Sequence, residues 1–294
     1  MLKLIDNKNI TDSTINLALE EFCVRNLDMK NDYLLFYIND PSIIIGKHQN
    51  TIEEINQEYV KENNIKVVRR ISGGGAVYHD NGNLNFSFMT KHSDKSIQNF
   101  KLFTEPVIKV LNELGVNAVL NGRNDITVDE RKISGNAQFT NTKSMFSHGT
   151  LLFDSEIENV VKALNVKTDK IESKGIKSVR SRVANIKEFL KTDLNVNEFR
   201  NKLIQSIFSM ENQLPVYELS TDEWTEVHKL SESRKKNFRV IIRSLRRFEL
   251  FKGRESKKNF KLSFSNLSLE TLQEIEEFLG NEKEVFLKYP EIYD

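Results

Sequence analysis

The feature that most restricts the fold is a run of three glycines, Gly73 to Gly75, inside a segment that otherwise favours β-strand. The surrounding residues 69–88 read RRISGGGAVYHDNGNLNFSF. Glycine has no Cβ, so three in succession place unhindered backbone N–H groups beside whatever occupies the turn. Arg69 and Arg70 lie directly upstream, and a guanidinium suits phosphate or carboxylate oxygens. The segment predicts either a turn that binds a small anion with an apolar body or a glycine-rich hairpin without a ligand.

A second segment, residues 121–138, reads NGRNDITVDERKISGNAQ and predicts a tight β-hairpin. Lys132 lies on one strand of this hairpin, where strand pairing holds its stem, and Gly135 leaves room for a ligand or another backbone. A fixed ammonium near the glycine run would form a site for two negative groups at once. A lone lysine in a hairpin is more often solvated surface, so this prediction depends on the two segments together. Asp125 is the carboxylate that flanks the lysine.

Composition restricts the class of protein. The chain has 294 residues, 38% hydrophobic and 29% charged, a balance typical of a globular protein with one large domain and a smaller appendage. The net charge of +1 gives no general attraction to nucleic acid or anionic membranes. Cys23 is the single cysteine, so an intramolecular disulfide and a cysteine-ligated metal cluster are excluded. We interpret it as a small core residue. A signal-peptide pattern and a run of about 20 apolar residues are both missing, so we expect a cytoplasmic protein.

Hydrophobic periodicity predicts a chain that mixes helices with a largely antiparallel or mixed sheet. A first helix begins after Asp12 or Ser13, which can cap it. The predicted strands are 33–38, 43–45, 66–69 and 84–89, and the further predicted helices are 52–63, 97–114, 156–163 and 196–210. Pro215 interrupts the helical pattern. We therefore predict a main domain over 1–215 and a small α/β accessory domain over 216–294.

Four segments together resemble the lipoate–protein ligase family: RRISGGGAVYHDNGNLNFSF, NDITVDERKISGNAQF, FSHGTLLFD and KGIKSVRSRVANI. They occur in the order and spacing of that family, and the resemblance covers about residues 1–220. It implies an α+β fold related to biotin ligases and class II aminoacyl-tRNA synthetases, with helices flanking a mixed β-sheet. It also implies a reaction in which ATP activates lipoate as lipoyl-adenylate and the lipoyl group passes to a lysine of an acceptor domain.

The resemblance also implies roles for individual residues. Lys132 would be catalytic, with contacts to both the lipoate carboxyl oxygen and the α-phosphate. Asp125 would either orient that lysine or hold Mg²⁺, and both alternatives stay open. The implied ATP and adenylate contacts are Arg70, Gly75, Ala76, Val77, Tyr78, Asp125, Lys132, Ser178, Arg180, Ser181 and Arg182. The implied lipoate contacts are Ser72, Gly73, Gly74, His79, Lys132, Gly135 and His148. His79 and His148 are equally consistent with hydrogen-bonded structural roles.

The implied partners are lipoyl domains of 2-oxoacid dehydrogenase acyltransferase subunits or a glycine-cleavage H-type protein, and we expect a monomer with no nucleic-acid or membrane partner. Rival functions stay open because the tail lacks the family's aromatic WxWNYG-like motif. One rival is a transferase that uses preformed lipoyl-adenylate or an acyl carrier without efficient ATP activation. Another is a silent lipoate-binding protein. A cysteine-dependent acyltransferase would need a thiol beside the lysine, and Cys23 is its single candidate.

Overall fold

The computed structural model describes residues 1–165, 182–209 and 214–235, and strands in these ranges form two sheets. The strands are β1 (Leu2–Ile5), β2 (Asp32–Ile38), β3 (Ser42–Ile45), β4 (Lys66–Arg69), β5 (Val77–His79), β6 (Asn83–Lys91), β7 (Val119–Asn121), β8 (Asp125–Val128), β9 (Arg131–Thr140), β10 (Ser144–Leu152) and β11 (Val216–Tyr217). The large sheet has the order β11-β1-β2-β6-β10-β9-β8-β7, and the small sheet has the order β4-β3-β5. Both sheets combine parallel and antiparallel pairs, so the predicted mixed sheet is confirmed.

The helices flank these sheets. They are α1 (Ser13–Asn26), α2 (Thr51–Glu54), α3 (Gln57–Glu62), α4 (Phe100–Glu113), α5 (Ile157–Ala163), α6 (Val196–Phe208) and α7 (residues 221–235), with a 3₁₀ turn at Ile186–Phe189. The predicted cap of α1 is confirmed, since the Asp12 carboxylate accepts the Thr14 backbone N–H at 2.8 Å. Within the described residues, none of the helices combines the length and apolar character that a membrane crossing requires.

Two predicted helices have different bounds in the structure. One begins later than predicted and the other is divided in two, in both cases at an asparagine that caps a helix. The helix predicted over 97–114 begins only at Phe100, where the Asn99 side chain accepts the Leu102 N–H and Gln98 has a left-handed φ of 57°. The helix predicted over 52–63 is split into α2 and α3. Between them Ile55 forms a β-bridge and Asn56 caps the second piece. Hydrophobic periodicity alone did not show these caps.

Alternation along β2 explains why both faces of the large sheet are covered. Leu34 and Phe36 point to a core that α4 and α6 complete, whereas Tyr33, Leu35 and Tyr37 point to a second core that α1 and α7 complete. All five side chains are buried. A strand buried on both faces reads as a continuous apolar run, as residues 33–38 do.

The described part of the predicted accessory domain packs on the main body. β11 pairs in parallel with β1, and the side chains of Leu219, Trp224 and Val227 lie in the core beneath α1. Helix α7 begins with a capping box, because Ser220 Oγ accepts the Glu223 N–H and the Glu223 carboxylate accepts the Ser220 N–H. The boundary at 215/216 stays a prediction, and most of the segment 216–294 lies outside the described residues.

We expect Trp224→Ala to lower the free energy of unfolding by about 3 to 5 kcal/mol, because it opens a large cavity where α7 meets α1. Urea unfolding followed by circular dichroism measures this change. Lys229→Ala is the matched control, since Lys229 lies on the exposed side of the same helix and should change stability by less than about 0.5 kcal/mol. Equal, small effects of both substitutions would contradict a core role for α7.

Candidate active site

The hairpin of β8 and β9 positions the predicted catalytic lysine. Its two turn residues, Asp129 and Glu130, both have positive φ values of 47° and 63°, as a two-residue type I′ turn requires. The strands pair antiparallel with Asp125 opposite Gly135 and Thr127 opposite Lys132, and the register shifts between these pairs. The predicted two-strand unit is therefore confirmed, and the irregularity lies next to the lysine.

The missing side chain of Gly135 makes room for an ion pair. A Cβ built at Gly135 would lie 2.9 Å from Lys132 Nζ, 3.0 Å from Lys132 Cε and 4.0 Å from Asp125 Oδ1. The lysine therefore folds back over the glycine, and its Nζ lies 2.8 Å from Asp125 Oδ1. The two side chains are 40% and 38% exposed, so the pair is open to solvent and to ligands. Such a pair orients the ammonium without contributing much to stability.

Arg70 clamps the glycine loop, which we define as residues 72–76. The Arg70 guanidinium is buried and donates to the Gly73 carbonyl at 3.0 and 3.2 Å and to the Gly75 carbonyl at 2.8 Å. Burial lowers the pKa of Arg70 to about 10, although Glu20 and Tyr37 counteract this effect, so the side chain stays charged near neutral pH. Gly74 has a φ of +100°, which favours glycine. Arg70 thus stabilises the turn from beneath, and a direct nucleotide contact stays a prediction.

The glycine loop lies over the same strand face as the lysine. A Cβ at Gly74 would lie 3.9 Å from Ala137 Cβ, and Ala137 is two residues from Gly135 on β9. Residues i and i+2 of a strand point to the same side and lie about 7 Å apart. Lys132 Nζ and the glycine loop therefore occupy neighbouring positions over one face of β9. A Cβ at Gly73 or Gly75 would meet no atom of the described chain within 4 Å, so there is space beside both glycines.

The segment that begins at Arg182 runs beside the lysine. The Lys132 backbone N–H donates to the Arg182 carbonyl at 2.7 Å, and the Lys132 carbonyl accepts the Ala184 N–H at 3.0 Å. Val183 forms a parallel bridge with Lys132. Arg182 is thus placed at the site. Ser178, Arg180 and Ser181, which the family resemblance also assigned to the adenylate, lie outside the described residues.

His148 forms the centre of a buried hydrogen-bond relay. His148 Nδ1 lies 3.0 Å from both carboxylate oxygens of Glu20 on α1, and Nε2 lies 2.8 Å from Ser72 Oγ. A carboxylate only accepts hydrogen bonds, so Nδ1 carries the proton, and in a neutral imidazole Nε2 accepts from the serine hydroxyl. His148 is opposite Ala137 in the β9–β10 ladder, which places it on the same sheet face as the lysine. The relay joins α1, the sheet and the glycine loop.

His79 lies at the end of a second relay of hydrogen bonds, in which the donor and the acceptor of each bond can be assigned. Asn16 Nδ2 donates to the Ile10 carbonyl and to Asn39 Oδ1, so Asn39 presents its NH₂ to His79 Nδ1 at 2.9 Å. His79 therefore carries its proton on Nε2, which is buried and has no partner among the described residues. Burial, with smaller contributions from Arg70 and His148, lowers the pKa of His79 to about 3. The imidazole is neutral and offers one N–H donor.

Sequence reasoning missed two contributors to this site, Glu20 and Gly46, and expected a different contact for a third, Arg69. Glu20 orients His148, Gly46 packs against the glycine loop, and Arg69 organises residues 46–51. A Cβ at Gly46 would come within 2.0 Å of the Gly74 carbonyl oxygen. Arg69 donates to the carbonyls of Gly46, Lys47 and Gln49 and to Thr51 Oγ1. Arg69 was expected to attract an anion, but its guanidinium serves the backbone instead. For Gly46 the available signal was its position directly after the predicted strand 43–45.

Two further side chains, Cys23 and Asp125, restrict the reactions that this site can catalyse. Cys23 is fully buried in the core, and burial raises the pKa of its thiol well above the ordinary value, so it is not a thiolate nucleophile. The interpretation of Cys23 as a core residue is confirmed. No group of three or more His, Cys, Asp or Glu side chains in the described ranges could hold a metal ion. Asp125 therefore belongs to no such group among the described residues.

Known proteins resemble this chain in both sequence and fold. Residues 12–208 match the family model of the lipoyl protein ligase A/B catalytic domain. The lipoate-protein ligase LplJ of Bacillus subtilis (strain 168) is 62% identical over 236 residues, which cover 80% of this chain and 71% of the relative. The structure resembles an archaeal bi-partite lipoate protein ligase from Thermoplasma acidophilum, studied with its E2 lipoyl domain, at a TM-score of 0.69 and 31% identity over 79% of this chain and 91% of that one. It also resembles a lipoate-protein ligase A bound with ATP, at a TM-score of 0.65 and 29% identity over 79% and 93%.

We expect His79 to make folding stability fall as the pH drops below about 6.5. The pKa of His79 is about 3 in the folded protein and about 6.5 in the unfolded chain, so the unfolded state binds the extra proton between these values. At pH 5 the loss relative to pH 8 should be about 2 kcal/mol. Urea unfolding of the parent and of His79→Gln at both pH values measures how much of the stability loss is due to His79. The variant should lack that part of the loss. The exposed His48 supplies the control substitution, His48→Gln, whose pH dependence should match the parent's.

Proposed function

Because the chain belongs to the lipoyl protein ligase A/B catalytic-domain family, we propose that the Lys132–Asp125 pair and the glycine loop form the reaction centre of a lipoate–protein ligase. The enzyme activates the carboxylate of lipoate with ATP and transfers the lipoyl group to a lipoyl-domain protein. The observation that carries the assignment of residues is the single strand face of β9, over which the Lys132 ammonium and the glycine loop are neighbours.

Lys132 suits the first half-reaction because two anions must meet there. A carboxylate oxygen of lipoate attacks the α-phosphorus of ATP, the bond from that phosphorus to the pyrophosphate oxygen breaks, and lipoyl-adenylate forms. The Lys132 ammonium would contact the attacking oxygen and an α-phosphate oxygen, offsetting their repulsion and the charge that develops on the phosphoryl oxygens. Asp125 holds the ammonium in place before the substrates arrive, since the lysine has a partner at 2.8 Å yet remains 40% exposed.

In the second half-reaction a neutral lysine amine of the acceptor attacks the carbonyl carbon of lipoyl-adenylate. The carbon–oxygen bond to AMP breaks, an amide forms, and the nitrogen releases one proton. Lys132 would stabilise both the carbonyl oxygen during attack and the departing phosphate. Gly135 contributes by leaving the volume that the lysine end and the acyl carbonyl share.

We assign the nucleotide contacts to the exposed part of the loop and to the strand after it. Gly75 and Ala76 lead directly into β5, which carries Val77 and Tyr78 and lies at the edge of the described small sheet. An edge strand has backbone groups without a strand partner on its outer side, and these can bind an adenine or ribose. The backbone of Arg182 lies beside Lys132, which supports the assignment of residues 178–182 to the adenylate.

The acyl group would lie against the glycine loop and the two relays. Ser72, Gly73 and Gly74 would form one wall, and His148, which is hydrogen bonded to Ser72, lies on the sheet face that carries Lys132. His79 is buried with an unpartnered Nε2–H among the described residues, which supports a polar contact with the substrate. Hydrogen-bonded walls of this kind would orient the acyl chain against the reacting carboxyl group.

The Mg²⁺ that accompanies ATP fits this site only as an ion held mainly by phosphates. Asp125 belongs to no group of three or more metal ligands within the described ranges, and Mg²⁺ usually takes one or two carboxylates, several waters and substrate phosphate oxygens. When bound, the ion would neutralise phosphate charge. We infer that the primary role of Asp125 is to orient Lys132, because one of its oxygens already lies 2.8 Å from Nζ.

The finer assignments remain proposals. We propose that the acceptors are the lipoyl domains of 2-oxoacid dehydrogenase acyltransferase subunits or of a glycine-cleavage H-type protein, that the enzyme is a cytoplasmic monomer, and that its catalytic domain spans 1–215 with an accessory domain over 216–294. The rival transferase without efficient ATP activation is distinguished by lipoate-dependent ATP–pyrophosphate exchange. A cysteine-based version of that rival is disfavoured by the buried Cys23.

We expect Lys132→Ala to reduce lipoylation by a factor that corresponds to about 3 to 4 kcal/mol of lost transition-state stabilisation. Intact-mass analysis of a purified lipoyl domain with lipoate and Mg-ATP measures overall transfer, and ATP–pyrophosphate exchange measures activation. Lys143→Ala is the matched control, since Lys143 is exposed at the far end of β9 and should leave both rates unchanged. Retained exchange in Lys132→Ala would contradict the assigned role, whereas exchange absent from the parent would favour the transferase.

We expect Gly135→Ala to lower kcat by about 10- to 100-fold, because the new methyl would displace the lysine end from its position. The unfolding free energy should change by less than about 1 kcal/mol, since the displaced atoms belong to a flexible, part-exposed side chain. Rates and urea unfolding are measured on the same preparations. In a Lys132→Ala background the glycine substitution should cause no further loss, and an additional loss there would show that Gly135 acts independently of the lysine.

A further inference from the structure

The last described turn of α7 reaches two elements of the active site through one side chain, Arg234. Its Nη2 forms an ion pair with Glu21 Oε2 on α1, and its Nη1 donates to the Arg69 carbonyl at 3.1 Å. The Arg234 side chain is 21% exposed, and the Glu21 side chain is 7% exposed. Arg25 Nε also contacts Glu21, at 2.8 Å, from the more exposed side.

Each partner of Arg234 is adjacent in sequence to a residue that shapes the pocket. Glu21 follows Glu20, whose carboxylate holds His148. Arg69 precedes Arg70, whose guanidinium clamps the glycine loop. One guanidinium therefore bridges the helix that orients the histidine relay and the strand end from which the glycine loop departs.

The chemistry of the bridge requires arginine. A guanidinium presents several N–H donors in a rigid plane, so it can bind a carboxylate and a carbonyl on different elements at once. A lysine ammonium is a single point charge on a flexible stem and would favour the carboxylate alone. Loss of Arg234 would remove this donor from the Arg69 carbonyl and would take away one of the two arginines that contact Glu21.

We propose that Arg234 is a positioning residue, which sets the separation of α1 from the glycine loop and thereby the shape of the lipoate pocket. This inference rests on the proposed function of that pocket. Arg234 does not contact the reacting atoms, and it acts through Glu21 and Arg69. Through Arg234, productive lipoate binding depends on the position of α7. The sequence analysis had assigned this helix to a separate accessory domain. Buried packing anchors the helix to α1, because Val227 is in the core and Ser231 Oγ lies 3.2 Å from Thr14 Oγ1.

The test compares Arg234→Ala, Arg234→Lys and the matched control Lys235→Ala in the full chain. Lys235 is the next residue, and its ammonium contacts Glu232 on the same helix at 2.7 Å. ATP–pyrophosphate exchange is measured against lipoate concentration at a temperature where circular dichroism shows each variant folded. We expect kcat/KM for lipoate to fall about tenfold in Arg234→Ala, to recover in part in Arg234→Lys and to stay unchanged in Lys235→Ala.

A double-mutant cycle with Glu21→Gln identifies the route of the effect. If Arg234 acts through Glu21, the double variant should lose no more than the larger single loss. Additive losses, or an Arg234→Ala variant within twofold of the parent while folded, would overturn the proposal. If Arg234→Ala fails to fold, Arg234→Lys and Glu21→Gln decide the question by the same assay. A parent without lipoate-dependent exchange would instead contradict the proposed function.

Discussion

The ion pair between Lys132 and Asp125 over the bare backbone of Gly135 is the interaction on which the site depends. In the proposed reaction it places a cation where the two anionic substrates meet, with a side chain that is still 40% exposed. A deeply buried pair would have been harder to separate when the substrates bind, because desolvated charges hold each other strongly. Because the pair is exposed, it contributes little to folding stability. An exposed Lys132 ammonium is also well suited to exchange the Asp125 carboxylate for substrate oxygens.

Around this exposed pair, the supporting groups are buried and hydrogen bonded. Glu20 and His148 hold Ser72, and the asparagine relay determines which nitrogen of His79 carries the proton. Buried polar groups are costly unless they are paired, so satisfied networks of this kind favour one arrangement over its alternatives. The groups around the ion pair are therefore held in one arrangement by their hydrogen bonds, whereas the Lys132 side chain is partly exposed.

Particular residues show how far the sequence could predict the site. Lys132, Asp125 and the glycine loop were identified because glycine runs and a hairpin lysine are local patterns, and the structure brings them to one face of β9. Arg69 was misread because its partners, carbonyls of residues 46–49, are distant in sequence. Glu20 gave no signal, since an acidic residue in an amphipathic helix is ordinary until its contact with His148 is seen. The assignments of Ser178, Arg180 and Ser181 stay predictions.

The sequence by itself determined the local elements and the chemistry they carry: the capped helix after Asp12, the β8–β9 hairpin, the turn at Gly73–Gly75 and the family to which they belong. These depend on backbone preferences and spacing over a few residues. Tertiary structure alone decided that α7 packs under α1, that the Arg70 guanidinium is used on loop carbonyls and that Arg234 joins Glu21 to Arg69. The contact of Glu21 with Arg234 links residues 213 positions apart along the chain, and such contacts arise only when buried charges and carbonyls must find partners in the folded interior.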